Sequence, residues 1–98
     1  MRKAAKVDDN QAEIVAALRR LDATVQPLHA VGEGCPDLLV GWRGRNILLE
    51  VKDGNKSLSR QQLTEDQQKW HRTWCGQVCV VRSIDDATFY LLQMMGRS

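Results

Sequence analysis

The chain has 98 residues, of which 43% are apolar and 27% are charged, a composition typical of one small globular domain over residues 1–98. Its formal net charge of +2 is too small to indicate nucleic-acid binding by itself. An odd number of cysteines (three) and the absence of a long apolar run predict a reduced, cytoplasmic protein, and argue against disulfides, a secretory leader and a membrane span.

Hydrophobic periodicity and capping residues predict seven elements in the order αβββαβα. They are a helix from Asp9 or Asn10 to about Leu21, strands over 24–30, 37–42 and 46–52, a helix over 64–74, a strand over 77–82 and a helix over 84–95. Thr64 and Ser83 are the predicted caps of the second and third helices, and Pro27 indicates an edge or irregular position in the first strand. The polar, basic residues 1–8 are predicted to be flexible. Because the last strand follows a helix, it can run parallel to an earlier strand, which predicts a mixed α/β sheet flanked by helices.

Strands 37–42 and 46–52 form the clearest hairpin in the sequence. Gly44-Arg45 suits a two-residue type II′ turn, which has glycine at its first central position. The register that follows from this turn sets Asp37 opposite Lys52. A slip of one residue would send Asp37 to the other face of the sheet, so the location of this side chain depends on the turn.

Two acids and a lysine are predicted to converge at one end of this hairpin. Side chains alternate across a strand, so Glu50 and Lys52 share one face, and the parity of the register places Asp37 on it too. Carboxylates are hard oxygen ligands that suit Mg²⁺ or Mn²⁺, and such a cation activates water and stabilises charge on a phosphate. A lysine beside it can position the water or stabilise the transition state. The alternative is a solvated surface ion pair next to a turn proline.

These residues also resemble a known nuclease signature. Pro36-Asp37, twelve further residues and then Glu50-Val51-Lys52 resemble the PD-(D/E)xK motif, and the element order is similar to the restriction-endonuclease-like αβββαβα core of that superfamily. The closer resemblance is to the VRR-NUC nucleases of phages and bacteria, and it extends over about 11–87. It is carried by three segments, 34–41, 48–52 and 63–67.

The resemblance implies a role for each residue of the motif. Asp37 and Glu50 match the metal-binding acids, and the backbone carbonyl of Val51 is implied as a further ligand. Lys52 matches the catalytic lysine. Together these positions imply a site for Mg²⁺ or Mn²⁺ and hydrolysis of a phosphodiester bond.

Two further site residues follow from the resemblance, and each has an alternative. Glu13 matches an acid from the first helix and is a possible metal ligand, but the segment from Asn10 to Glu13 also fits a capping box. Gln67 matches a glutamine near the catalytic lysine. It could instead be a helix-surface residue, with Gln62 or Gln68 in the role.

Basic and aromatic residues supply candidate binding groups. Lys56 and Arg60 lie in the loop after Lys52, where they could bind DNA phosphates. Trp70 and Trp74 are four residues apart on one helix face, which predicts a core or dimer-interface position, with base stacking as the alternative.

A zinc site is a weaker alternative for the same region. His71, Cys75 and Cys79 are spaced four residues apart, and Cys35 could be a fourth ligand. Gly76 breaks the helix between them, however, and small cysteines are common in buried strands.

The function implied by the resemblance is that of a metal-dependent DNA endonuclease, encoded by a phage or prophage and acting in the bacterial cytoplasm. The short chain has no room for long-site base readout, so cleavage is expected to be selective for branched DNA such as Holliday junctions. One active site cuts one strand, so paired incision predicts a homodimer. No membrane or nucleotide cofactor is expected. The alternatives are a non-catalytic DNA-binding or assembly module on the same fold and a sequence-specific restriction nuclease.

Overall fold

The computed structural model describes residues 7–95, in which the predicted α/β order αβββαβα is confirmed. The elements are α1 (Gln11–Arg20), β1 (Thr24–Pro27), β2 (Leu38–Trp42), β3 (Arg45–Val51), a 3₁₀ turn (Leu58–Gln61), α2 (Glu65–Thr73), β4 (Val78–Val81) and α3 (Ile84–Met95). Of the segment predicted to be flexible, residues 1–6 lie outside the described residues. Nowhere in 7–95 is a helix both long enough and apolar enough to cross a membrane.

The four strands form one mixed sheet in the order β1-β2-β3-β4. The first three strands are antiparallel neighbours, and β4 pairs parallel with β3, as the helix between them predicts. The first strand lies at an edge, in agreement with the position of Pro27. It ends there rather than at residue 30, because the chain turns at Leu28, whose carbonyl accepts a hydrogen bond from the Val31 amide.

The hairpin turn differs from the predicted one. Its two central residues are Arg43 and Gly44, with φ angles of 51° and 79°, so both adopt the left-handed conformation that a type I′ turn requires. The guanidinium of Arg43 lies 4.2 Å from the centre of the Trp42 ring, and this contact accompanies the uncommon arginine conformation. The prediction of a type II′ turn at Gly44-Arg45 is therefore wrong.

The register changes with the turn, but the shared face does not. Leu38 pairs with Leu49, so Asp37 continues the ladder opposite Glu50 and not opposite Lys52 as predicted. The shift is two residues, and side chains alternate with a period of two. Asp37 therefore stays on the same face as Glu50 and Lys52.

The two faces of the sheet have different roles. One face packs against α1 and α3 and forms the apolar core, whose fully buried members include Ile14, Leu18, Leu38, Val40, Leu49, Val51 and Leu91. The opposite face carries Leu39, Leu48 and Glu50, and α2 lies over its β3 end through Gln67 and His71. The charged residues of the motif thus lie away from the apolar core and beneath α2.

The helix caps agree with the sequence at α2 and α3 but not at α1. Thr64 and Gln67 form a reciprocal capping box, and the Asp86 amide donates to the Ser83 hydroxyl. Asn10 precedes α1 but its side chain makes no cap hydrogen bond; its Nδ2 donates to the carbonyls of Lys52 and Arg82 at 3.2 Å each. The capping box considered for Asn10 and Glu13 is therefore absent, because the asparagine side chain ties α1 to the ends of two strands.

Gly34 allows the start of α2 to approach the loop before β2. Its φ is 82°, and a β-carbon there would overlap the carbonyl of Asp66 and lie 2.9 Å from the Gln67 amide nitrogen. No larger residue fits without moving the first turn of α2.

Gly34→Ala is accordingly expected to lower the free energy of unfolding by about 2–4 kcal/mol. The loss has two causes, the left-handed backbone conformation and the overlap of the added β-carbon with Asp66. Gly44→Ala is the matched control, because Gly44 has a φ of 79° and a β-carbon added there would meet nothing within 4 Å. It is expected to cost about 1–2 kcal/mol. Urea unfolding of the two variants measures the difference, and equal losses would contradict the close approach of α2.

Candidate active site

Asp37 and Glu50 face each other at the carboxyl end of β3. Their residues are only 3% and 1% exposed. The Asp37 Oδ2 accepts a hydrogen bond of 2.7 Å from the Val51 amide, so this side chain occupies a place in the ladder that a backbone carbonyl would otherwise take. The bond orients the Asp37 carboxylate towards β3 and next to Glu50.

Helix α2 supplies two groups to the Glu50 carboxylate. The Gln67 Nε2 donates to Oε2 at 3.3 Å, and the His71 Nε2 lies 3.2 Å from Oε1. Gln67 and His71 are four residues apart, so they share a face of the helix. Each Glu50 oxygen therefore has a polar neighbour on α2, and the carboxylate is held in one orientation.

Gln67 also holds the lysine. Its Oε1 accepts a 2.8 Å hydrogen bond from the Lys52 Nζ and a 2.9 Å bond from the Thr64 amide. The Lys52 residue is 7% exposed. One amide side chain thus caps α2, positions the lysine and contacts Glu50, which places Gln67 rather than Gln62 or Gln68 in the cluster.

The pKa values in the site are shifted because two acids, Asp37 and Glu50, are buried side by side. Burial raises the pKa of Glu50 to about 9, assisted by its hydrogen bond to Asp37 and by the Asp37 charge, while Lys52 opposes the change. Burial and the charge of Lys52 lower the pKa of His71. Without a further cation, the geometry therefore favours one proton held by the pair of acids.

Asp8, just before α1, is influenced by the charges of this cluster. Burial raises the pKa of Asp8, Lys52 lowers it, and Asp37 and Asp53 raise it further. Asp8 is not among the predicted site residues, because it belongs to the segment predicted to be flexible. An acid two residues before a helix cap was the available signal.

Glu13 is not brought into the cluster. It is exposed on α1 and lines an open groove with Asn10, Asp53 and Arg82. The described contacts do not join it to Asp37 or Glu50, so its role as a metal ligand stays a prediction that the placement does not support.

His71 is the second site residue that was not predicted, because its spacing to Cys75 and Cys79 indicated a zinc ligand instead. Its spacing of four residues from Gln67 is the signal that would have located it. Cys75 is exposed after the end of α2, whereas His71 faces Glu50. Within 7–95 no three His, Cys, Asp or Glu side chains are grouped so as to hold a metal ion, which leaves the zinc alternative without support.

The two candidate DNA-binding residues lie near Asp8. Lys56 forms a 3.0 Å ion pair with Asp9, and the exposed Arg60 lines a groove with Lys56 and Asp8. Their positive charges are therefore next to Asp8, although that of Lys56 is partly balanced by Asp9.

Comparison with known proteins identifies the family. No protein-family model and no curated protein matches the chain. A solved structure described as "VRR_NUC domain" is 31% identical, covers 83% of this chain and 88% of its own length, and superposes with a TM-score of 0.53. This similarity confirms the predicted family and the predicted α/β, restriction-endonuclease-like fold. The chain belongs to the VRR-NUC family of nuclease-type domains.

Proposed function

We propose that this chain is a metal-dependent DNA endonuclease, with Mg²⁺ or Mn²⁺ bound by Asp37 and Glu50. The observation that carries the proposal is the pair of facing acids, both almost fully buried, whose joint ionisation is opposed by burial and by mutual repulsion. A divalent cation between them would remove that penalty. Mg²⁺ keeps several of its waters in protein sites and takes only one or two carboxylates, so two acids are sufficient.

The backbone carbonyl of Val51 fits as an additional ligand. Continuing the β2–β3 register by two residues brings Pro36 opposite Val51. Proline has no amide hydrogen, so it cannot donate to the Val51 carbonyl as a strand residue would. The Val51 amide is bonded to the Asp37 side chain instead. Pro36 and Asp37 therefore bring two candidate ligand oxygens to the same point, one in the Asp37 carboxylate and one in the Val51 carbonyl.

Lys52 and Gln67 have different proposed roles in the reaction. When bound, the cation would stabilise negative charge on a phosphate and lower the pKa of water. Lys52 presents a fixed positive charge next to the acids, where it can hold the attacking water or stabilise charge on the phosphate. Gln67 keeps the Lys52 ammonium in place through its Oε1, and therefore acts as a positioning residue.

Branched DNA is the proposed substrate, with Lys56 and Arg60 binding phosphates beside the site. The family resemblance supports selectivity for structure over sequence. Paired cuts in a Holliday junction would require a homodimer. A phage or prophage gene and a cytoplasmic location remain predictions.

The test is cleavage of a labelled four-way junction and of a linear duplex of the same arm sequence, in Mg²⁺, Mn²⁺ or EDTA. Wild type is expected to cut the junction in either metal and not in EDTA, and Asp37→Asn is expected to be inactive. Folded wild type that cuts no DNA in Mn²⁺ would contradict the enzyme and favour the non-catalytic DNA-binding module. Equal cutting of the linear duplex would contradict the structure selectivity alone.

Gln67→Ala is expected to slow cleavage about 10- to 100-fold, because Lys52 loses its 2.8 Å partner, and to cost about 1 kcal/mol of stability through loss of the α2 cap. Gln68→Ala is the matched control, since the exposed Gln68 side chain donates, among residues 7–95, only to the Leu63 carbonyl. Single-turnover rates and thermal unfolding of both variants measure the two effects. Similar rates for the two variants would refute the positioning role.

A further inference from the structure

The imidazole of His71 contacts the acidic cluster, but the proposed chemistry gives it no role. Its Nε2 lies 3.2 Å from the Glu50 Oε1. Only 15% of the His71 side chain and 1% of the Glu50 side chain are exposed. Because water has little access to this pair, the contact is not weakened as it would be between two exposed side chains.

The His71 ring also contacts the aromatic residues of α2. The Trp70 ring meets it edge-on, with the ring centres 5.9 Å apart, and Trp70 in turn stacks on Trp74 at 4.6 Å and 19°. A β-carbon on Gly76 would lie 2.8 Å from the Trp74 Nε1, so the Trp74 ring packs close to the backbone that follows α2. These contacts restrict the His71 ring, so its position against Glu50 does not depend on the carboxylate alone.

Both oxygens of Glu50 have a polar partner on α2. The Gln67 Nε2 donates to Oε2 at 3.3 Å, and the His71 Nε2 is at hydrogen-bond distance from Oε1. A neutral imidazole whose Nε2 carries the hydrogen can donate it to a carboxylate. The two contacts together oppose rotation of the carboxylate, and each occupies a lone pair through which an oxygen could otherwise bind a cation.

We propose that His71 is a positioning residue of the metal site: it donates its Nε2 hydrogen to the Glu50 Oε1 and holds the carboxylate for a cation of octahedral geometry. The inference rests on the proposed function and specifies which cations the site accepts. Mg²⁺ requires near-ideal octahedral geometry at about 2.0–2.1 Å, whereas Ca²⁺ takes about 6–8 oxygens at about 2.3–2.6 Å in flexible arrangements. A carboxylate held at both oxygens suits Mg²⁺ or Mn²⁺ and resists the rearrangement that Ca²⁺ requires.

Direct coordination of the cation by His71 is the competing role, because imidazole is a common metal ligand. Two observations favour positioning. The Nε2 is directed at Glu50, at a distance typical of a hydrogen bond. Among the described residues, no third His, Cys, Asp or Glu joins two others in a group that could hold a metal ion, so His71 does not complete such a group with Asp37 and Glu50.

The test is the affinity of the DNA-free protein for Mn²⁺, measured from the electron paramagnetic resonance signal of unbound Mn²⁺, with Ca²⁺ as a competitor. His71→Leu removes the donor and keeps a bulky side chain. It is expected to weaken Mn²⁺ binding about 10- to 100-fold, as loss of a hydrogen bond to a ligating carboxylate does. The preference for Mn²⁺ over Ca²⁺ is expected to fall about 10-fold, because the freed carboxylate can rearrange.

Two further variants separate positioning from a merely structural role. His71→Gln retains a side-chain N–H and is expected to recover most of the affinity and of the preference for Mn²⁺. His29→Leu is the control, because His29 is an exposed histidine in the loop after β1. Melting temperatures in EDTA verify that each variant is folded.

A second measurement uses the wild type alone and does not depend on the folding of a variant. Nitrogen NMR of the protein in Mg²⁺ identifies which ring nitrogen of His71 carries the hydrogen, and Nε2 is expected. A hydrogen on Nδ1 alone would overturn the inference, because Nε2 would then be an acceptor and could not hold an ionised carboxylate.

The binding data overturn the inference in four cases: unchanged Mn²⁺ affinity in folded His71→Leu, an equal loss in His29→Leu, loss of Mn²⁺ and Ca²⁺ binding by the same factor, or no recovery in folded His71→Gln. Wild type that binds no Mn²⁺ would contradict the proposed function as well. The EPR measurement is independent of cleavage. His71-dependent preference for Mn²⁺ in a protein that cuts no DNA would support the positioning role and contradict the nuclease alone.

Discussion

Lys52→Met is expected to cleave junction DNA about 1,000-fold more slowly than wild type while remaining folded. Methionine keeps most of the apolar stem of this buried side chain and removes only its charge. The Lys52 Nζ is held by Gln67 in a place with little water, where a fixed charge acts more strongly than in bulk solvent. Single-turnover rates at saturating enzyme and Mn²⁺ measure the chemical step separately from binding.

The control for this prediction is Arg45→Ala. Arg45 is an exposed cation on the same strand, but it lies at the turn, at the opposite end of β3 from Lys52. The Arg45→Ala variant is expected to cleave junction DNA at close to the wild-type rate. A folded Lys52→Met protein with a wild-type single-turnover rate would exclude the charge of Lys52 from the chemistry.

Glu50→Gln is expected to stabilise the metal-free protein increasingly as the pH rises. The native Glu50 carboxyl keeps its proton to about pH 9, whereas the unfolded chain releases it near the ordinary pKa of 4.5. The unfolded state therefore binds fewer protons between these values, so the stability of the wild type falls as the pH rises through this window. Glutamine resembles the protonated acid at every pH and escapes the penalty.

The measurement is the melting temperature of both proteins in EDTA from about pH 5 to pH 8. The variant is expected to melt close to wild type at the lower pH and several degrees above it at the higher pH. Mn²⁺ is expected to raise the melting temperature of the wild type, more so at high pH, and not that of the variant. Glu13→Gln removes an exposed acid and serves as the control for stability. A difference that does not change with pH would show that Glu50 ionises normally in the native protein.

Both predictions concern residues that sequence analysis located by strand parity. Glu50 and Lys52 are two residues apart in a strand, so they share a face in any register. Asp37 shares that face in any register shifted by an even number of residues, which is why the wrong turn did not change the outcome. The caps at Thr64 and Ser83 were equally predictable, since each depends on hydrogen bonds within three residues.

Contacts between elements distant in sequence could not be predicted in this way. The choice between the turns Arg43-Gly44 and Gly44-Arg45 was open, because glycine suits either turn and the outcome depends on strand twist and on the Trp42 contact. Asn10 had a good local role as a cap, but its side chain instead reaches two strand-end carbonyls that are 42 and 72 residues away in sequence.

The sequence by itself determined the element order and the common face of Glu50 and Lys52, because local periodicity carries that information, and the resemblance of its motif indicated the family. It placed Asp37 on that face only for a register shifted by an even number of residues. Only the tertiary structure decided what surrounds them. Helix α2 docks over Glu50 where Gly34 leaves space, and so brings Gln67 and His71 to the acids. The charges of Lys52 and Asp37 influence the pKa of Asp8, in the segment before α1, and Glu13 stays outside the cluster. These placements result from the packing of helices against the sheet, which a pattern along the chain does not encode.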